Sequence, residues 1–443
     1  MRKLLIFTAL IASLTLFSCS EDTIDTTVDS SGFVDNSSGV YLSSFGTYKI
    51  PDYDDWVIND TEADTDDFEG LSNAINALAE SGREITLSFP QIDSIPSFAI
   101  FGAEEIDYYN FSSEVVVGVS AAKAVAVGDH AFALCVNLTS LDFPEVSEVG
   151  DNAFIYCSSI ASVTSTQFPK LETLGGSFSL CSAITEVNLP TVTSVGIKAF
   201  SSCTSLTDVS LDAATSIGEW AFNSCTALET IDLPAAETVG YGTFNACSAL
   251  TAAYLAETVT LSKWAFYFCT ALETVELPKA TTIGDQAFYS CSALSSLSLP
   301  EVAYVGYGAF YSCTSLSSIT LPVATEVGYE SFRSCDSLTS IELPALTILN
   351  SSTFYNSAAL SSVSLPAVTT INTNAFYNCS ALTTLEVATD ADVILSTVVN
   401  TAFTSADTSA IALTIGSANS ESVDGSTLNI GGVKNEFASI SVI

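Results

Sequence analysis

Positive charge is what this 443-residue sequence has least of. Eleven Lys and Arg stand against 50 Asp and Glu, for a formal net charge of −39, and there is a single histidine. Phosphate backbones are held by clustered bases, so the composition excludes nucleic acid as an expected partner. An anionic membrane surface would likewise repel the body. Charged residues of both signs make up only 14% of the chain and hydrophobic residues 48%, which excludes a disordered protein. With one histidine, any Ser–His–Asp or Cys–His pair would have to run through His130. Its slot, two residues before a recurrent Phe, elsewhere holds Asn152, Lys198, Trp220, Gln286 and Glu330. That variety reads as an outward, unconstrained position. No Cys-x-x-Cys pair occurs among 12 cysteines, so the spacing of a zinc site is missing. No Gly-rich phosphate loop appears either. The acidic stretch Asp60–Asp66 lacks a calcium loop's glycine, having Thr65, and has Leu71 where a bidentate Glu is needed. Neither a catalyst nor a cofactor is expected. The uncharged, largely apolar N-terminal run Leu4–Phe17 is 14 residues, below the roughly 20 that span a bilayer.

That run follows Arg2 and Lys3 and suits a secretory signal. It ends in Leu16-Phe17-Ser18-Cys19, which resembles a bacterial lipobox. The resemblance implies cleavage before Cys19 and acylation of that residue, and two or three acyl chains anchor a protein stably. Glu21, Asp22 and Asp25 follow at once and resemble a surface-export signal of Bacteroidota-type lipoproteins. By the same resemblance, Asp22-Thr23-Ile24 and Asp25-Thr26-Thr27 look like O-glycosylation sites, at Thr23 and Thr26. The Ser/Thr/Asp-rich segment from Ser20 to about Val40 reads as a flexible tether.

What the sequence does have is repetition. Phe recurs at 132, 154, 178, 200, 222, 244, 266, 288, 310, 332, 354 and 376, in steps of 22 residues except for the step of 24 from Phe154 to Phe178. Pro169 and Gly175-Gly176 mark a local insertion there. Around each Phe, glycine tends to lie four residues before, cysteine three after, and aliphatics six, nine and eleven after, as in Gly196, Cys203, Leu206, Val209 and Leu211 around Phe200. Val209 and Leu211 alternate with Asp208 and Ser210, which predicts a short strand. The proline that usually follows stops it. The glycine is read as permitting the turn into the next coil, and Ala199, Phe200 and Cys203 share one-turn helical spacing. One coil cannot hide this apolar set, but stacked coils can, each covering the next.

The pattern resembles the BspA-type, or treponemal-type, leucine-rich repeats over about Val115 to Val387. The resemblance implies an α/β solenoid: a right-handed leucine-rich-repeat superhelix with one continuous parallel sheet and short helical or irregular turns on the other side. The expected divisions are 1–18 signal peptide, 19–40 tether, 41–110 N-terminal cap, 111–388 repeats and 389–443 C-terminal cap. In the first cap Leu71, Ile75 and Leu78 predict a helix over 68–80, and Ile85–Pro90 the first strand. Phe111–Ala122 reads as a degenerate coil with Val117, Val119 and Ala121 inward. At the far end Ile411–Ile415, Thr427–Ile430 and Ser439–Ile443 read as closing strands.

Eleven cysteines share the slot three after Phe, from Cys135 to Cys379, broken only by Ser357. Stacked side chains point the same way and eleven is odd, which favours buried free thiols over disulfides. The outward strand positions form a lattice of hydroxyls and acids. In it Glu186 and Asp208 fall in one column on neighbouring rungs, a weak candidate pair for a shared cation. A second stripe is aromatic: Tyr267, Tyr289, Tyr311, Tyr355 and Tyr377 one residue after Phe, with Trp220, Tyr241, Trp264, Tyr307 and Tyr329 nearby. Tyr and Trp anchor protein interfaces; stacking of the tyrosines between coils is the alternative. The resemblance implies a lipoprotein of the outer membrane, exposed at the cell surface and touching the membrane only through its lipid. It also implies binding of a protein ligand, such as host matrix or another cell surface. Glycan capture or envelope organisation is the alternative.

Overall fold

The computed structural model describes residues 116–387 without interruption, together with residue 114 and the stretches 86–89, 92–95 and 97–99. Beyond these it describes the backbone of short strands at Phe33–Asn36, Gly39–Leu42, Asp55–Val57, Ile85–Ser88, Ala412–Ile415, Val423–Asp424, Thr427–Ile430, Val433–Glu436 and Ser439–Val442. The signal run, Cys19, Thr23, Thr26 and the expected helix at 68–80 lie outside the described residues. The chain divides into two compact units, Met1–Val192 and Thr193–Ile443.

In the second unit each 22-residue coil carries two strands. One has three residues, or four near the C-terminal end, and contains the expected alternation: Thr230–Asp232 pairs in parallel with Ala252–Tyr254, and that with Thr274–Glu276. The other has two residues: Ser194–Val195, Ser216–Ile217 and Thr238–Val239 begin a parallel ladder that runs to Glu326–Val327. The expected single continuous sheet is therefore corrected to two ladders. The longer unbroken one is built of strands too short to show alternation. The other is interrupted between Asp208–Ser210 and Thr230–Asp232, between Thr274–Glu276 and Ser296–Ser298, and between Ser318–Thr320 and Ser340–Glu342. Beyond that break Ser340–Glu342, Ser362–Leu365, Thr384–Val387, Ala412–Ile415 and Ser439–Val442 pair in parallel, and the last two coincide with expected closing strands.

The first unit repeats the plan. Asp55–Val57, Ile85–Ser88, Val116–Ser120 and Ser140–Asp142 form one parallel set. Ser94–Ile95, Ala126–Val127, Glu148–Val149 and Thr173–Leu174 form the other. The degenerate coil is present with one change. Val116, Val119 and Ala121 are buried, whereas Val117 is half-exposed. The cause is a register shift against Ile85–Ser88: Ile85 pairs with Val116 and Thr86 with Gly118, so Val117 is left out of the pairing, while Val119 keeps its place opposite Leu141. The 24-residue step also resolves differently. Three extra residues precede Phe168, which stacks on Phe143 with ring centroids 5.2 Å apart. Gln167 closes this added turn, accepting the Thr164 N–H at 2.7 Å and donating to the Ser162 carbonyl at 3.1 Å.

Of the two forms expected for the remaining turns, the described coils take the irregular one; no helix occurs among the described residues. The cause is in the backbone. In every coil from Phe132 to Phe376 the residue two after Phe is left-handed, and in every coil but that of Phe178 so is the residue two before, with φ between +52° and +64°. Such residues break the helix. Their N–H groups, and that of Phe, point to the next coil instead: Trp220, Phe222 and Ser224 donate to the carbonyls of Tyr241, Thr243 and Asn245 at 2.8–2.9 Å. His130, Asn152, Lys198, Trp220, Gln286 and Glu330 thus occupy a constrained slot, not the unconstrained one expected. The glycines four before Phe also act differently. A Cβ on Gly218 would stand 2.6 Å from the Gly196 carbonyl group, so glycine serves close backbone stacking there rather than a turn.

The core is a set of columns. Phe200 to Phe376 stack with centroids 5.2–5.7 Å apart. Beside them lie buried columns at Leu206, Leu211, Ala214 and Ile217 and their counterparts. Burial of each Phe stabilises by about 2–3 kcal/mol, and each aromatic pair adds roughly 1 kcal/mol. The cysteines complete the set as buried free thiols. Each Sγ from Cys225 to Cys335 donates to the carbonyl of the preceding coil's Phe at 3.0–3.2 Å. Ser357 does the same with its hydroxyl at 2.7 Å.

Candidate functional site

The slot one residue after Phe is a continuous column in the second unit, half-exposed along most of its length. It starts polar: Asn223 donates to Ser201 Oγ at 3.2 Å, and Asn245 to Asn223 Oδ1 at 2.7 Å. It then turns aromatic. Tyr267, Tyr289 and Tyr311 stack with centroids 4.8 Å apart and planes within 22°. Arg333 occupies the next place, its guanidinium 5.2 Å from the Tyr311 ring and 4.3 Å from that of Tyr355. Tyr355 and Tyr377 close the column at 4.4 Å. The five tyrosines therefore pack as a stack of three and a stack of two, with Arg333 between them. Sequence reasoning did not include Arg333, because an aromatic column was sought by residue type, and a planar guanidinium stacks equally well.

The other half of the stripe is different. Trp220, Gly242 and Trp264 occupy the left-handed slot of three successive coils. Gly242 has no side chain, so the Trp220 ring lies across it. A Cβ there would sit 2.6 Å from the indole. Trp220 thereby reaches Trp264 two coils away, with centroids 6.0 Å apart, and Tyr241 packs against both at 4.8 and 5.0 Å. Trp264 is fixed from the other side by a 2.7 Å hydrogen bond from its Nε1 to Gln286, and Lys263 lies 5.0 Å over its ring. Phe268 and Tyr267 continue the patch. Tyr304, Tyr307 and Tyr329 are 38%, 44% and 54% exposed, and Phe268 is 45% exposed. Tyr304 and Phe268 had not been singled out in the sequence.

Carboxylates surround these rings. Asp285 accepts the Tyr307 N–H at 2.9 Å, and Glu330 accepts the Tyr307 hydroxyl at 3.2 Å while pairing with Arg333 at 2.8 Å. Tyr304 stands beside Glu326 in the two-residue ladder. Burial raises the Tyr304 and Tyr307 hydroxyls above the ordinary tyrosine value. The charges of Asp285 and Glu326 add to the rise at Tyr304, and that of Glu330 at Tyr307. Both hydroxyls stay protonated donors near neutral pH. On the three-residue strands a depression of about 280 Å³ opens where the ladder breaks after Thr274–Glu276. Glu273, Ser296, Ser318 and Thr320 line it, with the edges of Val275 and Leu297.

The remaining candidates are placed as follows. Glu186 opens the strand Glu186–Asn188 and is exposed; Asp208 opens Asp208–Ser210, is exposed, and accepts from Thr207 Oγ1 at 2.8 Å. No group of three His, Cys, Asp or Glu is gathered for a metal among the described residues. His130 stacks on Phe98 at 4.9 Å, with its Nδ1 buried and unpartnered, and desolvation lowers its pKa despite nearby Asp129 and Asp151. Burial pushes up the thiols of Cys157 and of Cys225 through Cys379, Cys247 and Cys379 to about 12, which makes them poor nucleophiles.

Comparison with known proteins follows the same lines. No curated protein matches the chain. Among solved structures, a leucine-rich repeat protein from Bacteroides ovatus is 26% identical, covering 60% of this chain and 82% of its own, with a TM-score of 0.41. A leucine-rich cell surface protein from Faecalibacterium prausnitzii is 20% identical, covering 81% and 86%, with a TM-score of 0.37. The T. pallidum leucine-rich repeat protein is 24% identical, covering 43% and 77%, with a TM-score of 0.27. The model of the BspA type leucine-rich repeat region matches in 6 copies at residues 85–177, 104–213, 175–292 and 281–410, well over half the sequence. With its columns of Phe, Cys and aliphatic residues repeating through those spans, the chain belongs to the BspA-type leucine-rich repeat family.

Proposed function

We propose that this chain is an outer-membrane lipoprotein, anchored through Cys19 and displayed at the cell surface, whose repeats bind protein ligands and support adhesion. The observation that carries the binding role is the aromatic surface of the second unit. Phe268, Tyr304, Tyr307 and Tyr329 are exposed beside the half-exposed pair Trp220 and Trp264. Contiguous aromatic area of this kind marks interaction sites more than it serves a monomer. The Trp220–Tyr241–Trp264 cluster is held rigid by its own contacts, so little conformational freedom is lost on binding. Binding rather than catalysis fits the family and the buried, protonated thiols.

The anchoring part is tested by lipid labelling: palmitate enters the parent chain and not a Cys19→Ser variant. Loss of the Thr23 and Thr26 hydroxyls removes any glycan carried there, read as a mass shift. The binding part is tested by passing the full chain over immobilised matrix proteins and, separately, over a polysaccharide gel. Retention on protein that falls when Tyr307 and Tyr329 are replaced by Ser supports the reading. Retention on the gel alone would transfer the surface to glycan capture, and retention on neither would end both.

A further inference from the structure

The geometry points to an arginine-bearing segment of a partner protein as the occupant of the surface formed by Tyr304, Tyr307 and Tyr329 with Asp285 and Glu326; this rests on the binding role above. Three observations carry it. First, these rings are open, 38–54% exposed. Second, the carboxylates among them are not neutralised. The sequence has no Lys or Arg from 280 to 332. The ion pairs among the described residues join Lys170 to Glu145, Lys279 to Glu257 and Arg333 to Glu330, leaving Asp285 and Glu326 without one. Third, the chain itself displays what such a surface accepts. Arg333 lies between the Tyr311 and Tyr355 rings with Glu330 on its Nη1, and Lys263 lies over Trp264. A guanidinium from outside would find the same elements, ring faces with a carboxylate at the edge, one coil away.

Arginine fits better than lysine because its planar group stacks on a ring and still presents donors in plane to a carboxylate. A chain of net charge −39 attracts any cation, so charge alone must be separated from the rings. The test holds charge constant. Tyr304, Tyr307 and Tyr329 are replaced together by Leu in the full chain, and an oligoarginine peptide is titrated at physiological ionic strength by calorimetry, with oligolysine alongside. Affinity for oligoarginine is expected to fall by about tenfold and that for oligolysine by less, since two or three ring contacts are lost. The single variant Tyr329→Leu, at the most exposed ring, guards against misfolding and is expected to lose about threefold. Unchanged oligoarginine affinity in both variants would overturn the assignment, because attraction would then be charge alone. Retention of the parent chain on immobilised protein, falling in the Tyr307 and Tyr329 Ser variant, would still leave the broader binding role standing, so the two failures are distinguishable.

Discussion

At the residue scale, one backbone requirement governs each turn. The slots two before and two after Phe are left-handed, and an ordinary L-residue there costs roughly 1 kcal/mol relative to glycine. The sequence carried the signal as an exclusion. Through twelve coils neither slot holds Val, Ile, Thr or Pro, while Ser and Asn recur, as in Ser290, Ser312, Asn356 and Asn378. Variety among the permitted types hid that rule and made the slot look free. Gly242 and Gly308 separate strain from contact. Both have positive φ, but a Cβ on Gly308 meets Gln286 Cγ at 3.4 Å and Tyr311 Cβ at 3.8 Å, ordinary contacts, whereas on Gly242 it meets the Trp220 ring at 2.6 Å. Gly308→Ala should cost about 1 kcal/mol and Gly242→Ala about 3 kcal/mol, read from urea midpoints. The second should also shift Trp220 fluorescence. Equal losses would mean that the indole does not rest on Gly242.

At the scale of the elements, the columns decide. Those of Phe, Cys and aliphatic residues were legible because only apolar types satisfy burial and each returns at a fixed interval. The two-residue strands were not legible as strands, since a pair such as Ser216–Ile217 shows no alternation, although the buried column Ile217, Val239 and Leu261 was present to be read. Half of the aromatic stripe proved to be such a column, with Arg333 inside it. The thiol column makes a prediction about pH. Burial raises Cys157, Cys379 and the six cysteines from Cys225 to Cys335 above their ordinary value of 9.0, Cys247 to about 12. The unfolded chain therefore loses these protons first. Stability is fully present below pH 9.0 and falls as pH rises towards 12, the folded state binding more protons across that window. Urea midpoints should drop across it, and Cys247→Ser, which keeps a donor as Ser357 does but does not ionise there, should drop less. A midpoint that rose with pH would contradict the buried, neutral thiols.

At the scale of the whole molecule, length comes in units of one coil. Consecutive strands are offset by 22 residues, as Ser216 is from Thr238 and Thr238 from Thr260. Removing one full period, residues 279–300, should leave every column in register, with unchanged circular dichroism per residue and only a modest loss of stability. Removing 11 residues from the same place sets a three-residue strand against a two-residue one and should unfold the neighbouring coils. Similar behaviour of the two deletions would mean that the columns do not set the fold. The net charge of −39 belongs to this scale as well. Charge of this size favours solubility and attraction of cations in general, and neither effect depends on which coil carries which acid.

Around Phe in the second unit the turn donates forward: Trp220 to Tyr241, Gly242 to Lys263, Trp264 to Asp285. Gly218 and Gly240 donate the other way, to Val195 and Ile217 of the coil before. A cut across the coils would therefore bare donors and acceptors on both faces, at different places on each. Two such fragments are complementary nose to tail, so truncation leads to open filaments.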